Sequence, residues 1–108
     1  MDKAALLALA DRVEALTGPC FDVEDQIEKI TRQPWRFPPP NYTVSLDAAM
    51  TLVPEGGFGS LVAGRFPDGS IGYVAVVTRP NRAEGTANRA ALALTAAALR
   101  AIAGGEDA

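Results

Sequence analysis

Two apolar stretches joined by a short turn constrain the fold of this 108-residue chain more than any other feature. The stretches, residues 58–66 and 71–79, are rich in β-branched and aromatic residues, and the Pro-Asp-Gly-Ser sequence between them is typical of a turn. We therefore predict an antiparallel β-hairpin. Because a two-stranded sheet is marginally stable by itself, we also expect a third strand, near residues 35–37.

Both faces of this hairpin are apolar if Phe66 pairs with Ile71. In that register one face carries Phe66, Val62, Ile71, Tyr73 and Val77, and the other carries Leu61, Ala63, Val74 and Val76. An antiparallel sheet with one face in water has apolar residues on the other face only. The pattern therefore predicts a small sheet sandwiched between helices.

Four segments have the spacing or the capping residues of helices. Residues 2–16 carry an apolar stripe at three- and four-residue steps and are followed by glycine and proline. A second helix is expected to begin at Asp22 and a two-turn helix after Ser45, since both side chains can cap a helix. The last helix is long and alanine-rich, over residues 86–103 with Thr86 as its N-cap. We expect a single α+β domain over residues 1–108.

The residue counts exclude several kinds of catalytic and metal site. The chain has no histidine and one cysteine, Cys20. These counts exclude Ser-His-Asp and Cys-His catalysis, zinc sites built from His or Cys, and an intramolecular disulfide. The glycine-rich residues 56–60 lack the Lys-Ser/Thr ending of a phosphate-binding loop. We therefore expect a protein that is not an enzyme, with no catalytic residue, metal or cofactor.

Charge and hydropathy limit the partners that this chain can have. Its net charge of −3 opposes general binding to nucleic acid. The weakly polar stretch at residues 90–99 is far shorter than the ~20 residues of a membrane-spanning helix, and the apolar run at residues 4–10 is too short for a signal peptide. We expect a cytoplasmic protein with no membrane partner, and self-association stays open.

Segments with a distinctive order and spacing cover most of the chain. They are RVEALTGP at residues 12–19, DQIEKI at 25–30, PNYTVSLDAAMTLVPEG at 40–56 and AALALTAAALR at 90–100. In this order they resemble the phage ABA-sandwich domain family of small phage and prophage proteins. The resemblance implies a sheet between helices, a phage or prophage source, the cytoplasm of the infected host cell, and no catalytic motif. In one departure, Gly57-Phe58 stands where similar proteins often have tryptophan after Pro-Glu-Gly.

Arginines and aromatic residues interleave in a connector that contains prolines at positions 34, 38, 39 and 40. Such a cluster can stack on bases or anchor a protein interface. Alternatively, the aromatic side chains and Tyr42 pack in the core and the arginines face solvent. A second positive region precedes the last predicted helix, whose N-terminus favours an anion. The candidate partner-binding residues in the two regions are Arg32, Trp35, Arg36, Arg79, Arg82 and Arg89.

Our leading hypothesis is a non-enzymatic phage accessory protein that binds a host or anti-phage defence component in the infected cell. It depends on the family resemblance and on the lack of catalytic residues. One alternative is a module that sequesters a small anionic nucleotide through the two arginine-containing regions. A further alternative is a small structural or assembly protein of the virion.

Overall fold

The computed structural model describes residues 3–31, 38–79 and 81–105. Four helices and three strands lie in these residues. In chain order they are α1 (Lys3–Ala15), α2 (Phe21–Thr31), α3 (Leu46–Met50), β1 (Phe58–Arg65), β2 (Ile71–Val77), β3 (Ala83–Ala87) and α4 (Ala90–Gly105). The prediction of an α+β fold with a small antiparallel sheet and a long C-terminal helix is confirmed.

The hairpin of β1 and β2 forms as predicted, but its register differs by one residue. Arg65 rather than Phe66 lies opposite Ile71, and the Phe66 N–H donates to the Ser70 carbonyl at 2.8 Å inside the turn. Because successive side chains point to opposite faces of a strand, this one-residue shift moves the β1 side chains from Ser60 to Arg65 to the other face relative to β2. Val62 consequently lies opposite Val74, on the face of the sheet that does not carry Tyr73.

A third strand is present, as predicted, and it is β3 at Ala83–Ala87. The strand order is β1-β2-β3 with both pairs antiparallel, whereas residues 35–37 lie outside the described residues. Thr86, which we assigned as the N-cap of the last helix, pairs instead with Val74 inside β3, and α4 begins at Ala90. Pairing with β2 outweighs the helix propensity of the alanines in this segment, as tertiary contacts commonly do.

One face of the sheet packs against α4. This face carries Ala75, Val77 and Gly85, of which the first two are fully buried. A Cβ added at Gly85 would lie 2.6 Å from the Ala97 nitrogen of α4. The absence of a side chain at this position therefore lets strand and helix backbones approach closely.

The opposite face of the sheet is amphipathic. It carries Val62, Val74 and Val76, but β3 adds Glu84 and Thr86 to it, and both of these are exposed. Among the described elements, the helices reach the sheet from the α4 face and from the β3 edge. No described helix packs on the second face, where we predicted a helical layer. Glu84 and Thr86 make that face partly polar, so it can face water.

The helical stripes predicted from the sequence are buried, except that Leu16 and Ile102 at their C-terminal ends are half-buried. In α1 the buried residues are Leu6, Leu9 and Val13, and in α4 they include Leu92 and Leu99. These side chains join one hydrophobic core that is shared by the helices and the sheet. Within the described residues, no helix is both long and apolar enough to cross a lipid bilayer.

The two shorter helices begin where local capping chemistry allows. Ser45 caps α3 as predicted, since its Oγ accepts the Ala48 N–H at 3.2 Å. The start of α2 is one residue earlier than predicted, at Phe21, so Asp22 lies in the first turn instead of capping it. An acidic residue in that first turn still complements the helix dipole.

Candidate functional site

Two buried glutamates of α2 hold the turn at residues 41–44. The Tyr42 hydroxyl donates to Glu28 Oε1 at 2.6 Å, and both the Thr43 N–H and its hydroxyl donate to Glu24 Oε2, at 3.0 and 2.6 Å. All four of these residues are buried. The interpretation that Tyr42 packs in the core is thus confirmed, and both carboxylates bond to groups that position the entry to α3.

Sequence reasoning missed this buried network. Glu24 and Glu28 are four residues apart on α2, and each directly follows a buried apolar residue, Val23 or Ile27. Acidic residues on a buried helix face need hydrogen-bond partners. The four-residue spacing of these glutamates was therefore the one sequence pattern that could have indicated a buried network. In the described part of the chain, no group of three or more acidic or cysteine side chains lies close enough together to hold a metal ion.

A second polar group, the Arg100 cluster of Asp11, Glu14 and Arg100, lies at the outer edge of β3. Arg100 makes two hydrogen bonds to Glu14, at 2.6 and 2.7 Å, and one to Asp11 at 2.8 Å. It also donates to the Glu84 carbonyl at 2.9 Å, while Glu14 accepts the Thr86 N–H at 2.7 Å. The cluster therefore bonds to backbone groups of β3 that face away from β2.

Hydrogen bonds within the Arg100 cluster favour the charged forms of Glu14 and Arg100. Burial by itself would raise the pKa of Glu14, but the hydrogen bonds from Arg100 and from the Thr86 N–H outweigh burial and hold that pKa below its usual value. The hydrogen bond to Glu14 is in turn the largest cause that raises the pKa of Arg100 above its usual value. Because both of its carboxylates pair with Arg100 and it bonds to β3, the cluster stabilises the fold.

The structure separates the predicted arginines. Arg32, Trp35 and Arg36 lie outside the described residues. Arg79 and Arg82 flank the connection between β2 and β3 at one end of the sheet, where Val77 is the last residue of β2. Arg89 lies at the opposite end, two residues after β3 and directly before α4.

The electrostatic argument for Arg79 and Arg82 is wrong. We placed them before the positive end of the last helix, but α4 begins at Ala90. A Cβ added at Gly104, near the other end of α4, would overlap the side chain of Asn81. Arg82 also forms an exposed ion pair with Glu84, at 2.7 Å. These arginines therefore lie near the C-terminal end of α4, where its dipole does not favour an anion.

Arg89 does line a small pocket at the start of α4. The pocket has a volume of about 270 Å³, and its other lining residues include Tyr73, Asn88 and Leu46. The Arg89 Nε donates weakly to the Thr17 carbonyl, at 3.4 Å. An aromatic ring, an amide and one guanidinium could hold a small planar anion here, but the volume is slightly below the usual range for small-molecule sites.

A larger groove of about 480 Å³ lies between α1 and α2. Its floor is apolar and is formed by Ala5, Ala8, Leu9 and Ile30; its polar rim is formed by Arg12, Gln26 and Lys29. Arg12 donates to Gln26 Oε1 at 2.9 Å, and Lys29 pairs with Asp25 at 2.9 Å. The groove can therefore take an apolar side chain and place a neighbouring carboxylate near two cations.

Sequence reasoning did not find this groove. Leu9 and Ile30 lie on the apolar faces of their helices, where burial is the ordinary expectation, but Ile30 is half-buried and lines an open space. No family model, curated protein or solved structure matches the chain. The resemblance to the phage ABA-sandwich family stays a prediction.

Proposed function

We propose that this chain is a non-enzymatic, phage-encoded accessory protein that binds a protein of the host or of its anti-phage defence. The groove between α1 and α2 is the observation that carries the proposal. Its apolar floor and cationic rim suit a peptide segment that presents an aliphatic side chain next to an acidic one. The phage setting depends on the resemblance of the segments at residues 12–19, 25–30, 40–56 and 90–100.

Two features of the groove and one of the sequence favour a protein partner. Ala5 and Ala8 are small, so a side chain of the partner can lie against the backbone of α1. The Arg12 and Lys29 side chains come from different helices and both line the groove, which favours a partner with acidic residues. In the sequence, Arg32 follows directly after the last residue of α2, so the cationic character continues along the chain.

Nucleotide binding is the second candidate, and the pocket at the start of α4 favours it. Tyr73 supplies an aromatic ring there and Arg89 a guanidinium. The pocket is roughly half the volume of the groove and has one cation. A nucleotide with two or more phosphates needs more positive charge than this pocket supplies, so the geometry favours the protein partner.

The test compares two surfaces in the same assay. The tagged chain is expressed in bacterial cells, cross-linked and purified as wild type and as Arg12→Glu and Arg82→Glu variants. Arg12 and Arg82 are both exposed, so neither change should cost more than about 1 kcal/mol of stability. We expect one partner to be retained by the wild type and by Arg82→Glu and to be lost from Arg12→Glu.

Binding is then measured with that partner purified. An affinity of Arg12→Glu within twofold of the wild type would contradict the role of the groove. Nucleotides extracted from the same preparations are identified by mass spectrometry. A nucleotide that copurifies with the wild type and is lost from an Arg89→Glu variant would favour the second candidate instead.

A further inference from the structure

Within the described residues, no strand or helix pairs with the outer edge of β1. Every residue of β1 is exposed except Leu61, which is half-buried, and Phe58 and Val62 are 45% and 57% exposed. β1 pairs with β2 on one side, and no other described strand lies against it. Exposed strand edges of this kind pair readily with another strand.

The pairing with β2 decides which backbone groups of β1 point outwards. Phe66 donates to the Ser70 carbonyl at 2.8 Å, so these residues form a hydrogen-bonded pair. In an antiparallel ladder such pairs alternate with pairs that are not hydrogen-bonded. Gly64 and Val62, two and four residues before Phe66, therefore bond to β2 as well. The N–H and C=O groups of the residues between them, Leu61, Ala63 and Arg65, point away from β2.

We propose that β1 pairs antiparallel with β1 of a second copy of this chain, around a two-fold axis at Val62. In this register Leu61 of one copy lies opposite Ala63 of the second copy, and the two exchange both backbone hydrogen bonds. A two-fold interface uses the same surface on both copies, and outward groups placed symmetrically about Val62 meet that requirement. The two sheets become one sheet of six strands, a common size.

The side chains of β1 fit this pairing. Val62 lies opposite Val62 of the second copy, so two exposed aliphatic side chains cover each other. Arg65 lies opposite Gly59 of the second copy, which has no side chain in its way. The two Arg65 residues are about 20 Å apart along the strands, so like charges do not face each other. β1 also lacks the lysines and prolines that commonly protect sheet edges. Its bulge between Phe58 and Ser60 lies at one end of the strand, so the regular part of the pairing is residues 60–64, centred on Val62.

The length of the paired segment sets the strength to expect. Residues 59–65 form a strand of about 23 Å, and one strand pair contributes less than the ~1,200–2,000 Å² of a stable interface. The dimer should therefore be reversible, with a population that rises with concentration. This inference does not depend on the proposed groove, since neither α1 nor α2 contacts β1.

Analytical ultracentrifugation of the full chain tests the dimer, at concentrations up to about 1 mM to capture weak association. The decisive variant is Ala63→Pro, because it removes an N–H that faces outwards and leaves the ladder with β2 intact. The matched control, Ala63→Val, keeps that N–H. We expect the dissociation constant to rise at least tenfold in Ala63→Pro and less than threefold in Ala63→Val, with folding of both checked by circular dichroism.

Cysteine cross-linking tests the register in a Cys20→Ser background, which removes the one native thiol. In the proposed pairing, the two residues at position 62 have Cα atoms about 4.5 Å apart, within disulfide range. The two residues at position 60 are at least about 13 Å apart. We expect Val62→Cys to form a disulfide-linked dimer under mild oxidation and the matched Ser60→Cys variant not to.

Three results would overturn the proposal. The first is a wild-type chain that stays monomeric at the highest concentration, which would leave the edge to a strand of another protein. The second is a folded Ala63→Pro variant that dimerises as tightly as Ala63→Val. The third is cross-linking of Ser60→Cys that equals or exceeds that of Val62→Cys. The cysteine variants do not contain the proline, so this result holds even if Ala63→Pro does not fold.

Discussion

The two outer strands of the sheet, β3 and β1, have the same backbone chemistry and different surroundings. Along β3, the Arg100 cluster bonds to the Thr86 N–H and the Glu84 carbonyl, at 2.7 and 2.9 Å. Along β1, no described group bonds to the outward N–H and C=O groups of residues 61, 63 and 65. One edge is thus closed by side chains of the same molecule, and the other edge is open.

This difference shows that closing a sheet edge requires partners from distant parts of the chain. Glu14 and Arg100 are separated by 86 residues in the sequence, and they meet because α1 packs beside α4. In the described part of the chain, no comparable pair of side chains bonds to the outer edge of β1. Closure of β3 and exposure of β1 therefore follow from where the helices pack, and the following changes test that comparison.

The largest effect is expected for a core residue that α4 places behind the sheet. Leu99 is fully buried, so Leu99→Ala should reduce the free energy of unfolding by about 2–5 kcal/mol. Leu61 on β1 is half-buried, and Leu61→Ala should cost less than about half as much. Urea denaturation measures the free energy of unfolding of both variants. A change below about 0.5 kcal/mol for Leu99→Ala would show that α4 buries a different face.

Glycine substitutions compare the two edge strands directly. A Cβ at Gly85 of β3 would overlap the Ala93 carbonyl oxygen of α4, whereas a Cβ at Gly64 of β1 meets nothing within 4 Å. Gly85→Ala should therefore destabilise the protein by about 1–3 kcal/mol or more. Gly64→Ala should be neutral or stabilise it by up to about 1 kcal/mol. Equal melting temperatures for the two variants would contradict the close packing of β3 on α4.

Removal of the Arg100 side chain should open the closed edge. Arg100→Leu leaves Glu14 and the Glu84 carbonyl without their charged donor, at a cost of about 1–3 kcal/mol. The edge of β3 then resembles that of β1, so the variant should also associate more strongly than the wild type. Denaturation and sedimentation measure the two effects. Loss of stability without increased association would show that α1 blocks this edge sterically.

The smallest effect is a dependence on pH. Glu14 has a lowered pKa in the folded state, so its ionised form stabilises the protein above the unfolded-state pKa, near 4.5. That contribution disappears as the pH falls through the folded-state pKa. The Glu14→Gln variant should therefore lose less stability than the wild type between about pH 6 and pH 3.

The fully exposed Asp68 provides the matched control for this dependence. Its pKa is also lowered, by hydrogen bonds from Ser70, but it lies in the turn of the open hairpin. Asp68→Asn should change the acid sensitivity less than Glu14→Gln does, because solvent screens an exposed carboxylate. The opposite order would show that the turn, rather than the closed edge, determines stability in acid.

Local features of the chain were predictable and long-range ones were not. The turn after β1, the cap at Ser45 and the apolar stripe of α1 each follow from residues close together in the sequence. The register of the hairpin was wrong by one residue, since apolar residues on both faces gave no preference between two pairings. The sequence also indicated Arg79, Arg82 and Arg89 as one positive region. The structure places β3 between them, so they lie at opposite ends of the sheet.

The sequence by itself determined the fold class, the helices, the hairpin and the residue types that the chain lacks, because those depend on composition and on periodicities within one segment. The tertiary structure alone decided that residues 83–87 form a strand, that Glu24 and Glu28 are buried, and that α1 and α2 leave a groove. It also decided which sheet edge is closed. Each of these results depends on groups far apart in the chain, whose energies are set only when packing brings them together.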